Sequence, residues 1–241
     1  MIKPIGRDGF RVWDAPLRLF HWLLVAAVAV AFLSSEGDSP IANWHMVAGW
    51  TAAVLIAFRL VWGLVGGEHA RFGSFLRPSR IPGHLRRLLA GEPERSIGHN
   101  PLGGIAVVAL LAMVGAVLWT GIRTNGGIVD EDIHEVLAYG LLGLIGLHVA
   151  AVAVMSLVTG ENLASAMVTG RKRRSLHPGA PDAHAPEPAA MLFGGAIVVA
   201  AFFGILQFDR DAFNPHLRGE VTKGSGAEHM SAEHREAGYE E

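Results

Sequence analysis

The sequence predicts an all-α integral membrane protein: a four-helix transmembrane bundle followed by a fifth transmembrane helix. Three observations carry this. Of 241 residues, 51% are hydrophobic and only 17% are charged, against about 25% charged in soluble domains. The apolar residues gather into five runs, each near the roughly 20 residues that cross a ~30 Å hydrocarbon layer. The charges gather between the runs, with arginine concentrated in alternate connections.

The first run covers about 17–35. It contains His21-Trp22, and no clean small-residue cleavage site follows it, so it reads as a membrane helix rather than a removed signal. The second, third and fourth runs cover about 43–65, 102–122 and 133–158. The fifth, about 191–208, is short like the first. Residues 1–18 hold Lys3, Arg7, Arg11 and Arg18. Loop 66–98 holds Arg71, Arg77, Arg80, Arg86, Arg87 and Arg95, and loop 159–190 holds Arg171, Lys172, Arg173 and Arg174. The intervening loops hold only Arg123, at the end of the third run. The positive-inside bias therefore puts the N-terminus in the cytoplasm. Five crossings then leave the acidic tail, 209–241, outside. Within loop 66–98 the run PGHLRRLLAG fits a short amphipathic interfacial helix or an ordinary basic loop. The Pro/Ala-rich stretch HPGAPDAHAPEPAA reads as a linker before the last helix. The organisation is thus a membrane domain over 1–174, a cytoplasmic linker over 175–190, a fifth span over 191–208 and a periplasmic tail over 209–241.

There are no cysteines and 12 histidines. This excludes disulfides, thiolate metal sites, iron–sulfur clusters and covalent haem attachment through C-x-x-C-H. Loop and tail histidines (His69, His84, His177, His184, His216, His229 and His234) are expected to be solvated. His99 stands apart because it opens the third helix beside Asn100. Four histidines fall inside spans, where polar side chains are costly and mark function: His21, His45, His134 and His148. His134 and His148 share one helix. Their interval of 14 residues gives about 21 Å of rise and falls about 40° short of four turns. They therefore lie on nearly one face at different depths. Alternating topology puts His45 and His134 at the outer level, and His21 and His148 at the inner one. Each level has two imidazoles from different helices, the requirement for two stacked bis-histidine centres. Zinc would want four ligands, and no carboxylate or cysteine lies at those depths. Two axial imidazoles suit a six-coordinate b-type haem. Gly49, Gly115, Gly140, Gly143 and Gly146 either make room for a macrocycle or allow close helix packing. Arg18 and Arg59 either pair haem propionates or snorkel to lipid phosphate.

The segments RVWDAPLRLFHW, NWHMVAGW, FRLVWG, HNPLGG, IHEVLAYGLLGLIGLHVAAV and ENLASAMVTGRKR together resemble the prokaryotic cytochrome b561 superfamily. Within it, the likeness is to the b-type cytochrome subunits named after nickel–iron hydrogenases. It covers about 11–174 and omits the fifth helix and the tail. The resemblance implies a four-helix bundle holding two haems b. It implies ligand pairs His21/His148 on the cytoplasmic side and His45/His134 on the periplasmic side. It further implies a protein of the bacterial inner membrane that moves electrons between the quinone pool and a periplasmic partner, a hydrogenase-like subunit or a c-type cytochrome. A quinone site near the inner haem would fall at Asn100 and His99. Two other classes remain for the residues alone. One is a non-redox transporter, which would lack a Soret band. The other is a stand-alone membrane oxidoreductase, acting for instance on superoxide, which would turn over without a partner protein. No H-E-x-x-H or G-x-S-x-G occurs, against a metalloprotease or serine hydrolase.

Overall fold

The computed structural model describes residues 9–36 and 39–215. Lys3, Arg7, His216, His229, His234 and nearly all of the acidic tail lie outside the described residues. Five helices are long and apolar enough to cross a membrane, and their ends fall within a turn of those expected. α1 (Ala15–Leu33) starts where Asp14 accepts from the Leu17 amide at 2.8 Å and Pro16 sits in the first turn, an N-cap with proline where no amide partner is needed. α2 (Trp44–Val65) returns along α1. A short helix α3 (Phe72–Phe75), a 3-10 turn and α4 (Ile81–Leu89) follow. The run PGHLRRLLAG is therefore helical. α5 (Pro101–Asn125) is capped by Asn100, which accepts from the Gly103 amide at 2.6 Å. α6 (Glu131–Thr159) has Glu131 and Asp132 in its first turn, favourable against the helix dipole. It ends on Gly160 at φ +67°, a left-handed cap. α7 (Leu163–Thr169) and α8 (Pro188–Phe208) complete the chain. On the spans, large apolar side chains face outward; Leu147, Leu157 and Leu192 are 66%, 81% and 77% exposed. In water that surface would be prohibitive, so this is a multi-pass membrane protein.

The helices form two hairpins, α1/α2 and α5/α6, which meet chiefly through α2 and α5. α8 packs along α2, and a Cβ at Gly194 would stand 3.0 Å from the Trp62 ring. The fifth helix is thus closely joined to the bundle.

The main buried core lies at one end, on the face that carries the basic loops. Phe10, Val12, Trp13, Leu17, Phe20, Trp62 and Ala166 are its centre. Here the all-α expectation needs amendment. β1 (Gly9–Arg11) pairs antiparallel with β2 (Arg171–Arg173), Phe10 opposite Lys172. The amides of Val12 and Trp13 both donate to the Gly170 carbonyl. Gly170 closes α7 at φ +77°, and a Cβ there would meet the Trp13 carbonyl oxygen at 2.8 Å, so only glycine fits. The linker crosses this cap under tether: Asp182 accepts from the Arg11 amide at 2.6 Å, and the Ala183 amide donates to the Arg11 carbonyl.

The cap corrects two solvation expectations. His177 is buried, and its Nε2 lies 2.9 Å from Glu161 Oε1. The other oxygen of Glu161 accepts from Lys172 Nζ at 2.9 Å, and Lys172 also donates to the Ser96 carbonyl at 2.8 Å. Burial pushes the Lys172 ammonium below its ordinary pKa, while Glu161 pulls it back up. His84 is also buried, turned inward on α4. Both histidines sit in loops by sequence, yet tertiary contacts fold over them.

Candidate functional site

The spans bring two of the four intramembrane histidines, His45 and His134, face to face. At the opposite face from the cap, the His45 and His134 ring centres are 6.2 Å apart, with planes nearly perpendicular at 85°. Two imidazoles on opposite sides of one metal, each at about 2 Å, place their ring centres roughly 6 Å apart. Each ring is held through Nδ1. His45 Nδ1 donates to the Ala31 carbonyl at 2.8 Å, one of the carbonyls left open at the end of α1. His134 Nδ1 lies 3.1 Å from Thr120 Oγ1, which itself donates to the Ala116 carbonyl at 3.0 Å. Anchoring Nδ1 fixes the tautomer and presents Nε2 as the ligating nitrogen, the usual arrangement at metals. Gly121 lets the His134 ring lie close to α5; a Cβ there would stand 2.9 Å from Cε1.

At the cap end, His21 on α1 and His148 on α6 show no ring contact like that of the outer pair. His21 Nδ1 is buried without a hydrogen-bond partner, a state that costs about 1–3 kcal/mol unless something meets it. The ring stands edge-on to Trp22, centres 5.0 Å apart.

The five glycines named for a macrocycle behave alike. A Cβ at Gly49, Gly115, Gly143 or Gly146 would meet nothing within 4 Å, and one at Gly140 only Met113 Cε at 3.9 Å. Close helix packing is therefore not their role, in contrast to Gly194. Gly49 follows His45 by one turn on the same face, but Gly140, Gly143 and Gly146 are exposed and stand about 80–180° round α6 from His134 and His148, so they face outward and do not make room for a macrocycle. The fit to a b-type haem rests on the anchored outer pair and on the unbonded His21 Nδ1.

The arginines separate. Arg59 is 2% exposed, donates to the Ala70 carbonyl at 3.1 Å and lies over the Phe72 ring at 4.7 Å. It does not snorkel to lipid. Arg18 donates to the Val168 carbonyl at the end of α7, and its Nε is buried without a partner. Arg123 lies over Trp119 at 5.8 Å, near the other face. Asn100 spends its side-chain oxygen on capping α5. His99 is packed between Trp13 and Phe75, ring centres 4.7 and 4.6 Å away, with Nδ1 buried and unbonded. Burial first, and Arg59 second, push its pKa down to about 3, so it is neutral at pH 7.

Sequence reasoning missed Thr120, Gly121 and the Ala31 carbonyl, which position the outer pair. It also missed Asp14, which accepts from Trp62 Nε1 at 3.1 Å and so ties α1 to α2. Only RVWDAPLRLFHW and FRLVWG, read as motifs, pointed toward the last pair.

Comparison with known proteins places the chain in a family. The family model described as prokaryotic cytochrome b561 matches residues 12–170. A protein of Azotobacter chroococcum mcd 1 named "Probable Ni/Fe-hydrogenase B-type cytochrome subunit" is 27% identical over 209 residues, covering 66% of this chain and 86% of its own length. One of the same name from Bradyrhizobium diazoefficiens is 22% identical over 224 residues, covering 71% and 89%. The Escherichia coli K12 protein named "Probable Ni/Fe-hydrogenase 1 B-type cytochrome subunit" is 27% identical over 135 residues, covering 46% and 57%. No solved structure matches. Five spans, a face-to-face pair of intramembrane histidines and a family match across most of the chain lead to one conclusion: the chain belongs to the prokaryotic cytochrome b561 family, membrane b-type cytochromes that transfer electrons.

Proposed function

We propose that this protein is a di-haem electron conduit through the bacterial inner membrane, between the quinone pool and a periplasmic redox partner. His45 and His134 ligate the periplasmic-side haem, and His21 and His148 the cytoplasmic-side haem. The observation that carries the reading is the outer pair: rings 6.2 Å apart, each fixed through Nδ1. Each haem, when bound, supplies a one-electron iron centre. The chain's part is to hold the ligands at two depths, keep water from the low-dielectric interior and set the potential through ligation and burial. The roughly 21 Å between His134 and His148 along α6 is an upper bound on the hop, because macrocycle edges approach more closely than ligands.

At the inner level, Arg59 and Arg18 supply positive charge for propionates. Quinol oxidation or quinone reduction near Asn100 and His99 exchanges protons with the cytoplasmic surface, because α1, α2 and α5 carry no acidic residue at all. Relatives named as nickel–iron hydrogenase subunits favour a hydrogenase-like partner; a c-type cytochrome is the other candidate, docking on the acidic tail. The test is haem stoichiometry. His45→Ala and His148→Ala should each halve haem per chain by pyridine haemochrome, with different reduced-minus-oxidised spectra remaining. Full haem content in both variants would sink the ligand assignment.

A further inference from the structure

Beside the cap, at the end of α2, lies a cavity of about 490 Å3 that the four intramembrane histidines do not line. Its volume is within the range of small-molecule sites. Leu64, Glu68, His69, Arg71, Ser74 and Arg77 are among its walls. Glu68 is already engaged, accepting from the His184 amide at 3.1 Å with its ring Nδ1 at 2.9 Å. Arg71 and Arg77 have no carboxylate partner among the described residues. The cavity therefore offers two uncommitted guanidinium groups, while the Ser74 hydroxyl donates to the Arg71 carbonyl at 2.6 Å.

Two apolar features border it. Leu64 is 70% exposed, and Leu60, one turn earlier on α2, is also exposed. They form a track running from the cavity along a membrane span. α4 follows directly in the chain. On its helical wheel, His84, Leu88, Ile81, Leu85 and Leu89 make one apolar arc, with Arg86 at one border and Arg80 and Arg87 at the other. One edge of the arc is against the protein at His84; the other edge, Leu85 and Leu89, is exposed. A helix that is apolar on an exposed edge and flanked by arginine lies in the membrane interface.

We propose that this cavity binds the phosphodiester headgroup of an anionic glycerophospholipid. Arg71 and Arg77 grip the phosphate, and one acyl chain follows Leu64 and Leu60. α4 lies in the same leaflet, its leucines among the acyl chains and its arginines at the headgroups. Basic pockets at the membrane surface beside spanning helices favour such lipids. The planar guanidinium fork suits a phosphodiester. A free phosphate shares the chemistry but would not use the leucine track.

The test uses the full chain in phosphatidylcholine vesicles with trace spin-labelled phosphatidylglycerol or phosphatidylcholine, read by electron paramagnetic resonance. The protein should restrict labelled phosphatidylglycerol preferentially. R71Q/R77Q should lower that preference roughly fivefold per arginine, R71K/R77K should keep most of it, and R123Q, at the opposite face, should change nothing. Should R71Q/R77Q fail to fold, Leu85→Gln with Leu89→Gln should still release α4 and weaken restriction of both lipids. An unchanged preference in R71Q/R77Q overturns the proposal. So does binding of inorganic phosphate with equal restriction of the two lipids. Haem content does not enter the readout, so failure here leaves the electron-transfer reading untouched.

Discussion

The cap and the bundle interior are built on opposite plans. The cap is a dense protein core: Phe10, Trp13 and Trp62 are buried, a two-stranded sheet closes it, and Glu161, Lys172 and His177 form a buried charged cluster. The interior between the two hairpins has anchored histidines, an open position at Gly49 and few buried side chains on α5 and α6. The cap thus gets its stability from the chain's own packing. The interior presents ligands and leaves the filling to a cofactor. Damage to the cap should lower stability with spectra preserved in what folds; damage to the interior should alter spectra first.

The sharpest way to break this contrast is Gly49→Leu. A Cβ there meets nothing within 4 Å, so the first carbon of the new side chain fits without moving the protein. Gly49 is one turn from His45 and shares its face. Near-complete loss of one haem with unchanged circular dichroism is expected; full haem content would show that Gly49 faces lipid instead. Next in size is Glu161→Ala. It strands a buried lysine, and about 3–5 kcal/mol of stability should go, read as a fall in unfolding midpoint in detergent with the haem spectrum of the folded fraction intact.

A pH effect follows from His99. Its folded pKa lies far below the ordinary histidine value. The unfolded chain therefore binds the extra proton first as pH falls. Stability should be full above about pH 6.5 and decline toward pH 3, by about 1.4 kcal/mol per unit at most. His99→Phe should flatten that slope; an unchanged slope would assign it to other groups. The smallest change is Thr120→Val. It removes the hydrogen-bond partner of His134 Nδ1 but not the ligand. Haem should stay, with a shifted midpoint potential in a redox titration and faster haem loss to a scavenger, about tenfold or more. An unchanged potential would mean that the anchor does not tune the metal.

Much of this was legible in residue patterns. Leu- and Val-rich runs mark spans because no other composition tolerates hydrocarbon. The His134–His148 interval marks one face at two depths because helix pitch is invariant. Arginine bias pointed to the same end that carries the cap. His177 was misread because a histidine in a Pro/Ala stretch carries no local sign of burial; Glu161 is 16 residues away and becomes its partner only when β2 docks on β1. Thr120 and Gly121 were invisible for the same reason, being an ordinary threonine and glycine in an apolar helix.

By itself, then, the sequence determined the number of spans, the likeness of the chain to its family and the shared helix face of His134 and His148. All three depend on local composition or fixed helix periodicity. Only the tertiary structure decided that Arg59 turns inward, that Asn100 caps α5, that α8 packs on α2 and that the cap has a core. Each of those depends on which surfaces meet between residues far apart in the chain, and no helical period encodes that.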